Sequence, residues 1–423
     1  MLESDKGVLT IAVIGLGYVG LPLAVEFSNF HKVIGFDVKL SRIDELRNFK
    51  DNTLEVEAQL LRNPNLKFSS NEEDLSGIDV FIVTVPTPID KFKVPNLVSL
   101  KSASALVGKY IQPGKTVVFE STVYPGVTED ICASIISKKS GLILNKDYFI
   151  GYSPERINPG DKQKKLKDIV KITSGSNENT RKFVDALYKD IIKAGTYSVD
   201  TIKVAEAAKI IENVQRDVNI ALMNEFADLF NKFNISVDSV LAAARTKWNF
   251  LDFRPGLVGG HCIGVDPYYL SYAAQSVGHS PKMILSGRAV NEAFSKFIAE
   301  KFVKCIFNNV NEFKTKKVLV MGVTFKENCP DLRNSKVFDL VLEIEKFGFE
   351  VDIFDPYFEY FPPLDLKLVT ELKSNYYEGV CIAVAHREFL AMGIDAIQDL
   401  SINQNCIFDL KNLFENEVSI LRL

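Results

Sequence analysis

Apolar runs alternate with helical patterns in the first part of the chain. Residues 9–14 form a short apolar run that ends in the turn GLGYVG, a helical pattern follows in LPLAVEF, and a second apolar run ends at Asp37. Strand, glycine turn, helix and strand are the start of a doubly wound α/β domain. Apolar runs at 80–85, 116–119 and 149–151 predict further strands of the same sheet.

A polar motif follows each of these later strands. The motifs are TVPTP at 84–88, ESTVYPG at 120–126 and YSPERINPG at 152–160. In an open parallel sheet, ligands bind beyond the carboxyl ends of the strands. We therefore expect the three motifs to face one crevice.

Residues 201–230 contain neither glycine nor proline. Their apolar residues recur at helical spacing, at positions 204, 208, 211, 214, 218, 222, 226 and 229. The pattern is far longer than an average helix of about 11–12 residues. It predicts one long helix that connects domains and offers a face for dimerisation.

From Lys316 the strand–helix–strand pattern starts again. KKVLVMGVTF reads as a strand and turn, NSKVFDLVLEIEKFG as a helix, and VDIFDP as a strand that ends in an aspartate. Only Gly322 remains of the glycine turn, so this second domain is not expected to bind a dinucleotide in the usual way. The predicted fold class is α/β, with two Rossmann-like doubly wound domains joined by a long central helix or helical domain.

Composition excludes several classes of protein. With 423 residues, 47% hydrophobic residues, 25% charged residues and a net charge of −4, a globular chain of two to three domains is expected, with no nucleic-acid partner. Four histidines and scattered cysteines predict no metal site and reduced thiols in the cytoplasm. The start carries no basic cluster, and the longest apolar stretch is broken by three glycines and a proline, so neither a signal peptide nor a membrane span is expected. The cysteines are Cys132, Cys262, Cys305, Cys329, Cys381 and Cys406.

The turn GLGYVG has the spacing that a pyrophosphate requires. Gly15 allows the tight turn, Gly17 allows close approach of the backbone to the phosphates, and Gly20 lets helix and strand pack. Asp37 then accepts hydrogen bonds from the adenine ribose and repels a 2′-phosphate. The sequence therefore predicts NAD rather than NADP as the cofactor.

A single cysteine, Cys262, lies in the glycine-rich stretch RPGLVGGHCIGVDPYY at 254–269. The glycines, among them Gly259, Gly260 and Gly264, supply no side chains for packing and let the backbone come close to a bound molecule. From the residues alone, Cys262 is either a nucleophile or a small buried hydrophobe.

Two further groups have both a chemical and a plain interpretation. Lys209 and Asn213 share one helix face, where they either stabilise a developing alkoxide or form a solvent-facing polar pair. Glu155 follows a proline at a strand end, where it either activates water or pairs with the neighbouring Arg156.

The stretch TFKENCPDLR at 324–333 follows the first strand of the second domain. It supplies Lys326 and Arg333, whose cations suit phosphate oxygens. Cys329 has no glycine context there, and we interpret it as structural.

Taken in order, these motifs resemble the UDP-sugar 6-dehydrogenases, the UDP-glucose and UDP-N-acetylhexosamine dehydrogenase superfamily. The resemblance covers nearly the whole chain, through GLGYVGLPLA, TVPTP, ESTVYPG, GYSPERINPGD, KITSGS, AEAAKIIEN, FRPGLVGGHCIGVDPYYL and GVTFKENCPDLRNS. It implies an NAD-binding domain at 1–200, a central helical dimerisation domain with the cysteine loop at 201–305, and a UDP-sugar-binding domain at 306–423. It also implies a homodimer.

The resemblance further implies a four-electron oxidation with two NAD per sugar. The C6 alcohol becomes an aldehyde, Cys262 captures it as a thiohemiacetal, and a second hydride loss gives a thioester that water hydrolyses to the acid. The roles carried over to other residues are an oxyanion and water contact for Lys209 and Asn213, with Asp266 beside them, water activation for Glu155 and proton relay for Thr122.

Binding residues are carried over in the same way. The residues expected to bind NAD are Gly15, Gly17, Tyr18, Val19, Gly20, Asp37, Arg42, Thr87, Thr122 and Arg333. The residues expected to bind the UDP-sugar are Glu155, Arg156, Lys209, Asn213, Arg254, Gly259 and Lys326.

Departures from the UDP-glucose pattern point to an N-acetylated sugar. Pro159 stands at the second glutamate position of PEFxxEG, Arg156 replaces its aromatic residue, and Val265 stands where GGxCxxKD has lysine. These forms resemble enzymes acting on UDP-N-acetylglucosamine or UDP-N-acetylgalactosamine, which feed bacterial surface polysaccharides, and UDP-N-acetylmannosamine is less favoured. The alternatives are a UDP-glucose 6-dehydrogenase and a nucleotide-binding protein that has lost its chemistry.

Overall fold

The computed structural model describes residues 7–157, 164–260, 263–310, 312–361, 366–414 and 420–423. The chain divides into two compact units. The first comprises Met1–Glu212 with Tyr268–His279, and the second comprises Asn213–Pro267 with Ser280–Leu423. The predicted bounds 1–200, 201–305 and 306–423 stay a prediction.

The described strands are β1 (Thr10–Ile14), β2 (Lys32–Phe36), β3 (Leu66–Ser69), β4 (Val80–Val83), β5 (Thr116–Phe119), β6 (Phe149–Tyr152), β7 (Lys171–Gly175), β8 (Thr196–Ser198), β9 (Lys317–Met321), β10 (Glu350–Phe354), β11 (Tyr360–Phe361), β12 (Leu366–Lys367), β13 (Gly379–Ile382) and β14 (Ile407–Asp409). The described α-helices are α1 (Gly20–Ser28), α2 (Leu40–Arg47), α3 (Val98–Tyr110), α4 (Ala133–Ser140), α5 (Glu178–Lys189), α6 (Ile202–Lys232), α7 (Val237–Ala244), α8 (Asp266–Ser276), α9 (Lys282–Asn309), α10 (Val337–Glu345), α11 (Arg387–Met392) and α12 (Ile394–Gln398).

The first unit is built on one large sheet. Among the described residues it has eight strands in the order β3-β2-β1-β4-β5-β6-β7-β8. Neighbours run parallel from β3 to β6, and β7 then pairs antiparallel with β6. The central strands are continuous apolar runs because both faces are covered, and every residue of β4 and β5 is buried. This arrangement brings the carboxyl ends of β1, β4, β5 and β6 to one edge, where the polar motifs begin.

The second unit contains a smaller parallel sheet in the order β10-β9-β13-β14. Its core also includes the second half of α6, α7, α9 and α10, with fully buried side chains such as Phe302, Val320 and Leu340. A two-stranded antiparallel ribbon of β11 and β12 is separate from it.

The long central helix is α6, with 31 residues. It begins one residue after the predicted start and ends two residues after the predicted end. Two mainly parallel sheets and this helix confirm the predicted fold class. Over the part of the chain that the structure describes, we find no helix with the length and apolar character needed to cross a bilayer.

Candidate active site

The glycine turn after β1 has a separate steric reason for each glycine. Gly15 has a φ of +95°, a left-handed conformation that favours glycine. At Gly20, an added Cβ would stand 1.9 Å from the carbonyl oxygen of Gly15, so only glycine lets α1 begin there. At Gly17, an added Cβ would meet nothing within 4 Å among the described atoms, so the space beside this backbone is open.

The open side of the turn fits a dinucleotide phosphate. Helix α1 has no side-chain cap and no acidic residue in its first turn, so no carboxylate there competes with an anion for the positive end of the helix. Tyr18 and Val19, which precede the helix, are half-buried. These groups would hold the pyrophosphate of NAD, as predicted from the motif.

Asp37 and Arg42 form hydrogen bonds that connect the glycine turn to the segment after β2. The carboxylate of Asp37 accepts hydrogen bonds from the amides of Leu16 and Lys39, each at 2.9 Å. Arg42 Nε donates to the carbonyl of Leu16 at 2.9 Å, and its Nη2 pairs with Asp51 Oδ1 at 2.9 Å. The guanidinium of Arg42 is therefore engaged within the protein, and its predicted contact with NAD stays a prediction.

The motifs after β4 and β5 are joined by their hydroxyl groups. Thr87 Oγ1 donates to the carbonyl of Thr122 at 2.7 Å, and Ser121 Oγ donates to the carbonyl of Val85 at 2.6 Å. The motifs TVPTP and ESTVYPG therefore lie next to each other, as predicted, and Thr122 is half-buried.

Glu206 links the ESTVYPG segment to α6, and the motif analysis did not single it out. Its carboxylate accepts the amides of Gly126 at 2.6 Å and Thr128 at 3.0 Å. Burial raises the pKa of Glu206 to about 7. Its sequence signals were its place in AEAAKIIEN and its position three residues before Lys209 on the same predicted helix.

Glu155 and Lys209 form a buried ion pair in the first unit. Lys209 Nζ lies 3.3 Å from Glu155 Oε2, and the two residues are 4% exposed. Glu155 Oε1 is buried with no hydrogen-bond partner among the described residues, which leaves an acceptor for water or substrate. Arg156 instead pairs with Glu212 at 2.7 Å and donates to the carbonyl of Val170 at 2.7 Å. The plain alternative, a pair between Glu155 and Arg156, is wrong.

In the second unit, Asn213 Nδ2 donates to Asp266 Oδ2 at 2.5 Å. Asn213 is 7% exposed and Asp266 is 2% exposed. Because Lys209 and Asn213 are both buried, the alternative of a solvent-facing polar pair on α6 is also wrong. Cys262 and the neighbouring His261 lie outside the described residues.

The glycines before Cys262 pack against the chain itself. An added Cβ at Gly259 would stand 2.5 Å from the carbonyl oxygen of Asn334, and one at Gly260 would stand 2.7 Å from the ring of Phe325. Gly260 also has a φ of +84°. The segment 325–334 therefore occupies the space that side chains at these two positions would need, and the expected approach of a bound molecule, with Gly259 as a substrate residue, stays a prediction.

Two anchors hold the start of the same loop. Asn224 on α6 accepts the amide of Gly256 at 2.7 Å and donates to its carbonyl at 3.1 Å. Arg254, a predicted substrate residue, pairs with Asp252 at 3.2 Å and with Asp238 at 3.5 Å. Asn224 was missed because an asparagine within an amphipathic pattern gives no distinct signal.

The turn after β9 repeats the geometry of the glycine turn. Gly322 has a φ of +84°, and the amide of Val323 donates to Asp355 Oδ2 at 2.8 Å. Thr324 comes next, fully buried, with its hydroxyl 3.1 Å from Nε2 of the buried His386. At the position that corresponds to Gly17, the second turn therefore carries a buried threonine against a histidine, and its lack of a usual dinucleotide site stays a prediction.

The two predicted phosphate-binding cations follow this second turn. Lys326 is half-buried, and its carbonyl accepts the hydroxyl of Thr324 at 2.8 Å. Arg333 is exposed and pairs with Asp331 through Nε at 2.9 Å. Their roles toward a substrate or cofactor stay predictions.

Three family models match the chain in succession. Residues 9–192 match the NAD binding domain of the UDP-glucose/GDP-mannose dehydrogenase family, residues 203–293 match its central domain, and residues 319–416 match its UDP binding domain.

Similar proteins extend over nearly the whole chain. A UDP-N-acetyl-D-glucosamine 6-dehydrogenase of Pseudomonas aeruginosa is 50% identical over 419 residues, covering 98% of this chain and 99% of the relative. One from Salmonella typhi is 48% identical, covering 98% of each. The solved structure of a UDP-D-ManNAc dehydrogenase from Pyrococcus horikoshii aligns with a TM-score of 0.88 at 29% identity, covering 98% of each chain.

These findings confirm the predicted resemblance, the NAD cofactor and the class of enzyme, an NAD-dependent dehydrogenase. The match to a UDP binding domain supports a UDP-linked substrate. The chain belongs to the UDP-glucose/GDP-mannose dehydrogenase family.

Proposed function

We propose that the protein oxidises the C6 hydroxyl of a UDP-N-acetylhexosamine, UDP-N-acetylglucosamine or UDP-N-acetylgalactosamine, to the uronic acid. The observation that carries the proposal is the buried Glu155–Lys209 pair, in which Glu155 Oε1 has no hydrogen-bond partner among the described residues, in a chain about half identical to UDP-N-acetyl-D-glucosamine 6-dehydrogenases. A protein that only bound nucleotides would gain nothing from such a buried pair, since burying two charges costs free energy.

NAD, when bound, accepts a hydride from the sugar carbon, and two such oxidations take the alcohol to the acid level. The thiolate of Cys262 adds to the aldehyde carbon, and the oxygen of the adduct takes a proton to give a thiohemiacetal. Loss of the second hydride and a proton leaves the thioester. Water then attacks the thioester carbon, and the thiol of Cys262 leaves as the carboxylic acid forms.

Protein groups supply the charge and proton handling for these steps. Glu155 takes the proton of the attacking water, since its buried carboxylate carries an open acceptor. The ammonium of Lys209 stabilises the negative oxygen of each tetrahedral adduct. Asn213, oriented by Asp266, donates an amide hydrogen for the same purpose, and Thr122 relays protons.

The stoichiometry of NADH tests the reaction. Absorbance at the nicotinamide band is followed with a panel of UDP-sugars, and two NADH per UDP-N-acetylhexosamine are expected. One NADH per sugar, or a preference for UDP-glucose, would overturn the assignment. The Pro159 departure that favours the N-acetylated sugar lies outside the described residues, so the panel is the direct test of specificity.

Replacement of the thiol tests the covalent route. Cys262→Ala is expected to abolish formation of the acid and to leave the affinity for NAD unchanged, because the predicted NAD contacts do not include this residue. Cys329→Ala, at a buried thiol to which the proposed reaction gives no role, is the matched control. Acid formation by Cys262→Ala at the wild-type rate would remove Cys262 from the mechanism.

We also propose a homodimer that uses the outer face of α6. Exposed apolar side chains on that helix form one stripe, since their spacings of 7, 11 and 7 residues return to the same face. They are Val204, Ile211, Leu222 and Leu229. The mass of the protein by light scattering is expected to be twice that of one chain, and Ile211→Glu with Leu222→Glu is expected to reduce it to one. A double variant that keeps the wild-type mass would rule out this surface.

The remaining proposals concern the compartment in which the enzyme acts and the use of its product. The five described cysteines carry free thiols, which supports a reducing compartment, the cytoplasm. We propose that the uronic acid is consumed in building a bacterial surface polysaccharide. Disruption of the gene should remove that sugar from the polysaccharide, and an unchanged sugar composition would contradict the role.

A further inference from the structure

A buried cluster of charged and polar side chains contacts Pro154, the residue before Glu155. The proposed reaction gives the residues of this cluster no role. Lys171 Nζ lies 2.6 Å from Glu120 Oε2 and donates to the carbonyl of Pro154 at 2.9 Å. The hydroxyl of Tyr188 donates to the other oxygen of Glu120. The side chains of Lys171 and Glu120 are 3% and 0% exposed, so the cluster is shielded from solvent.

The reversal of β7 explains how Lys171 reaches this position. Strand β7 runs antiparallel to β6, with Tyr152 opposite Ser174. The start of β7 therefore lies beside the segment that leaves the end of β6, where Ser153 Oγ donates to the carbonyl of Ile172 at 2.7 Å. A parallel β7 would have placed Lys171 at the opposite edge of the sheet.

Two more backbone contacts tie the segment after β6 to Glu120 and its strand. The amide of Ser153 donates to the carbonyl of Phe119 at 3.0 Å, and the amide of Glu155 donates to the carbonyl of Glu120 at 3.4 Å. The segment that carries Glu155 is thus fixed on both sides, by β5 through backbone bonds and by Lys171 through the Pro154 carbonyl.

Stability alone does not account for this cluster. Replacing a buried ion pair by apolar side chains of similar volume is often neutral or stabilising, since desolvation offsets the attraction between the charges. With apolar side chains in place of the ion pair, the carbonyl of Pro154, immediately before Glu155, would lose its charged hydrogen-bond donor, Lys171. A charge-assisted hydrogen bond to a backbone carbonyl fixes its orientation more firmly than a neutral one.

We propose that Lys171, held by Glu120, is a positioning residue that orients Glu155 toward its reaction partner through the carbonyl of Pro154. The inference rests on the proposed role of Glu155 as the base for water. It assigns a function to the first residue of KITSGS and the first residue of ESTVYPG, which the proposed reaction leaves without one.

The test uses the full-length enzyme with the double substitution Lys171→Met and Glu120→Gln. The single change Lys171→Met leaves a buried carboxylate without its counter-ion and is expected to fold poorly, whereas the double variant removes both charges. In the double variant, kcat on UDP-N-acetylglucosamine is expected to fall by about tenfold or more, since displacement of a catalytic group by about 1 Å has such effects. KM for NAD and the thermal midpoint are expected to stay at the wild-type values.

Tyr188→Phe is the matched control. It removes one hydrogen bond of Glu120 and leaves the contact between Lys171 and Pro154 in place, so kcat is expected to change by no more than about twofold. If Tyr188→Phe lowers kcat as much as the double variant does, the effect is a general loosening of the cluster and the proposal fails. It also fails if the folded double variant keeps the wild-type kcat.

A crystal structure of the double variant separates this inference from the proposed reaction. The distance between Lys209 Nζ and Glu155 Oε2 is expected to lengthen by at least about 1 Å from 3.3 Å, because the Pro154 carbonyl has lost its donor. An unchanged Glu155 would overturn the positioning role whatever the substrate is. Absence of two-NADH turnover by the wild type would overturn the proposed function and leave this structural result to decide the inference.

Discussion

The turns after β1 and after β9 share one backbone plan. In each, a glycine with positive φ takes the first position, Gly15 at +95° and Gly322 at +84°. In each, the next amide donates to the aspartate immediately after the neighbouring strand, at 2.9 Å for Asp37 after β2 and 2.8 Å for Asp355 after β10. Both glycine amides also donate at 2.8 Å to the last residue of that strand.

The two turns differ at the third position. Gly17 leaves open space beside the backbone, whereas Thr324 is buried against His386. The first glycine and the aspartate, which both turns share, therefore build the connection between the strand and its turn. We predict that Gly17, the second glycine of GLGYVG, is what makes the first turn a dinucleotide site.

The largest expected effect is at the third glycine of the first turn. Gly20→Ala would place a Cβ 1.9 Å from the Gly15 carbonyl, and it is expected to lower the free energy of unfolding by about 3 kcal/mol or more. Chemical denaturation measures the loss, with Gly17→Ala as the control that adds the same methyl group in open space. Equal stability of the two variants would show that the clash is relieved by backbone movement.

The second-largest expected effect distinguishes Asp355 of the second turn from Asp37 of the first turn. Asp355→Ala leaves the buried amide of Val323 without its acceptor and is expected to cost about 2 kcal/mol of unfolding free energy, with no change in NAD affinity. Glu359→Ala, at an exposed carboxylate, is the control for stability. A loss of NAD binding in Asp355→Ala would mean that the second turn also takes part in binding the cofactor.

Gly17→Ala tests the open space directly. The methyl group would occupy the side of the turn assigned to the pyrophosphate, so the Kd for NAD is expected to rise by about 10–100-fold with stability unchanged. Thr324→Ser, at the corresponding position of the second turn, is expected to leave the Kd unchanged. Titration calorimetry measures both, and wild-type affinity in Gly17→Ala would place the phosphates elsewhere.

The smallest effect concerns the charge of Asp37. Asp37→Asn keeps the size of the side chain and one acceptor oxygen, so the turn is expected to persist while NAD binds about three- to tenfold more weakly. The preference for NAD over NADP should fall, because the carboxylate no longer repels a 2′-phosphate. An unchanged preference, measured from kcat/KM with each cofactor, would contradict the ribose contact.

The strands, the long helix and the first glycine turn could be predicted from local sequence patterns. Contacts between residues distant in the sequence could not. The apolar runs predicted β1, β5 and α6 to within a few residues, since burial on a strand or helix face leaves a period in the sequence. The direction of β7 could not be predicted, because a strand has the same pattern in either direction. Likewise, the partner of Glu155 is Lys209, 54 residues away, and adjacency in sequence favoured Arg156.

The tight packing of Gly259 and Gly260 limits what can be concluded about the chemistry of a protein from the motif GGHC. These two glycines are required by the segment 325–334 that lies against them, so a chain would keep them for folding whether or not it kept the cysteine. A search that recognises relatives by the glycines therefore collects proteins that share the architecture. On the proposed mechanism, the residue at position 262, and not these glycines, separates relatives able to form a thioester from those that cannot.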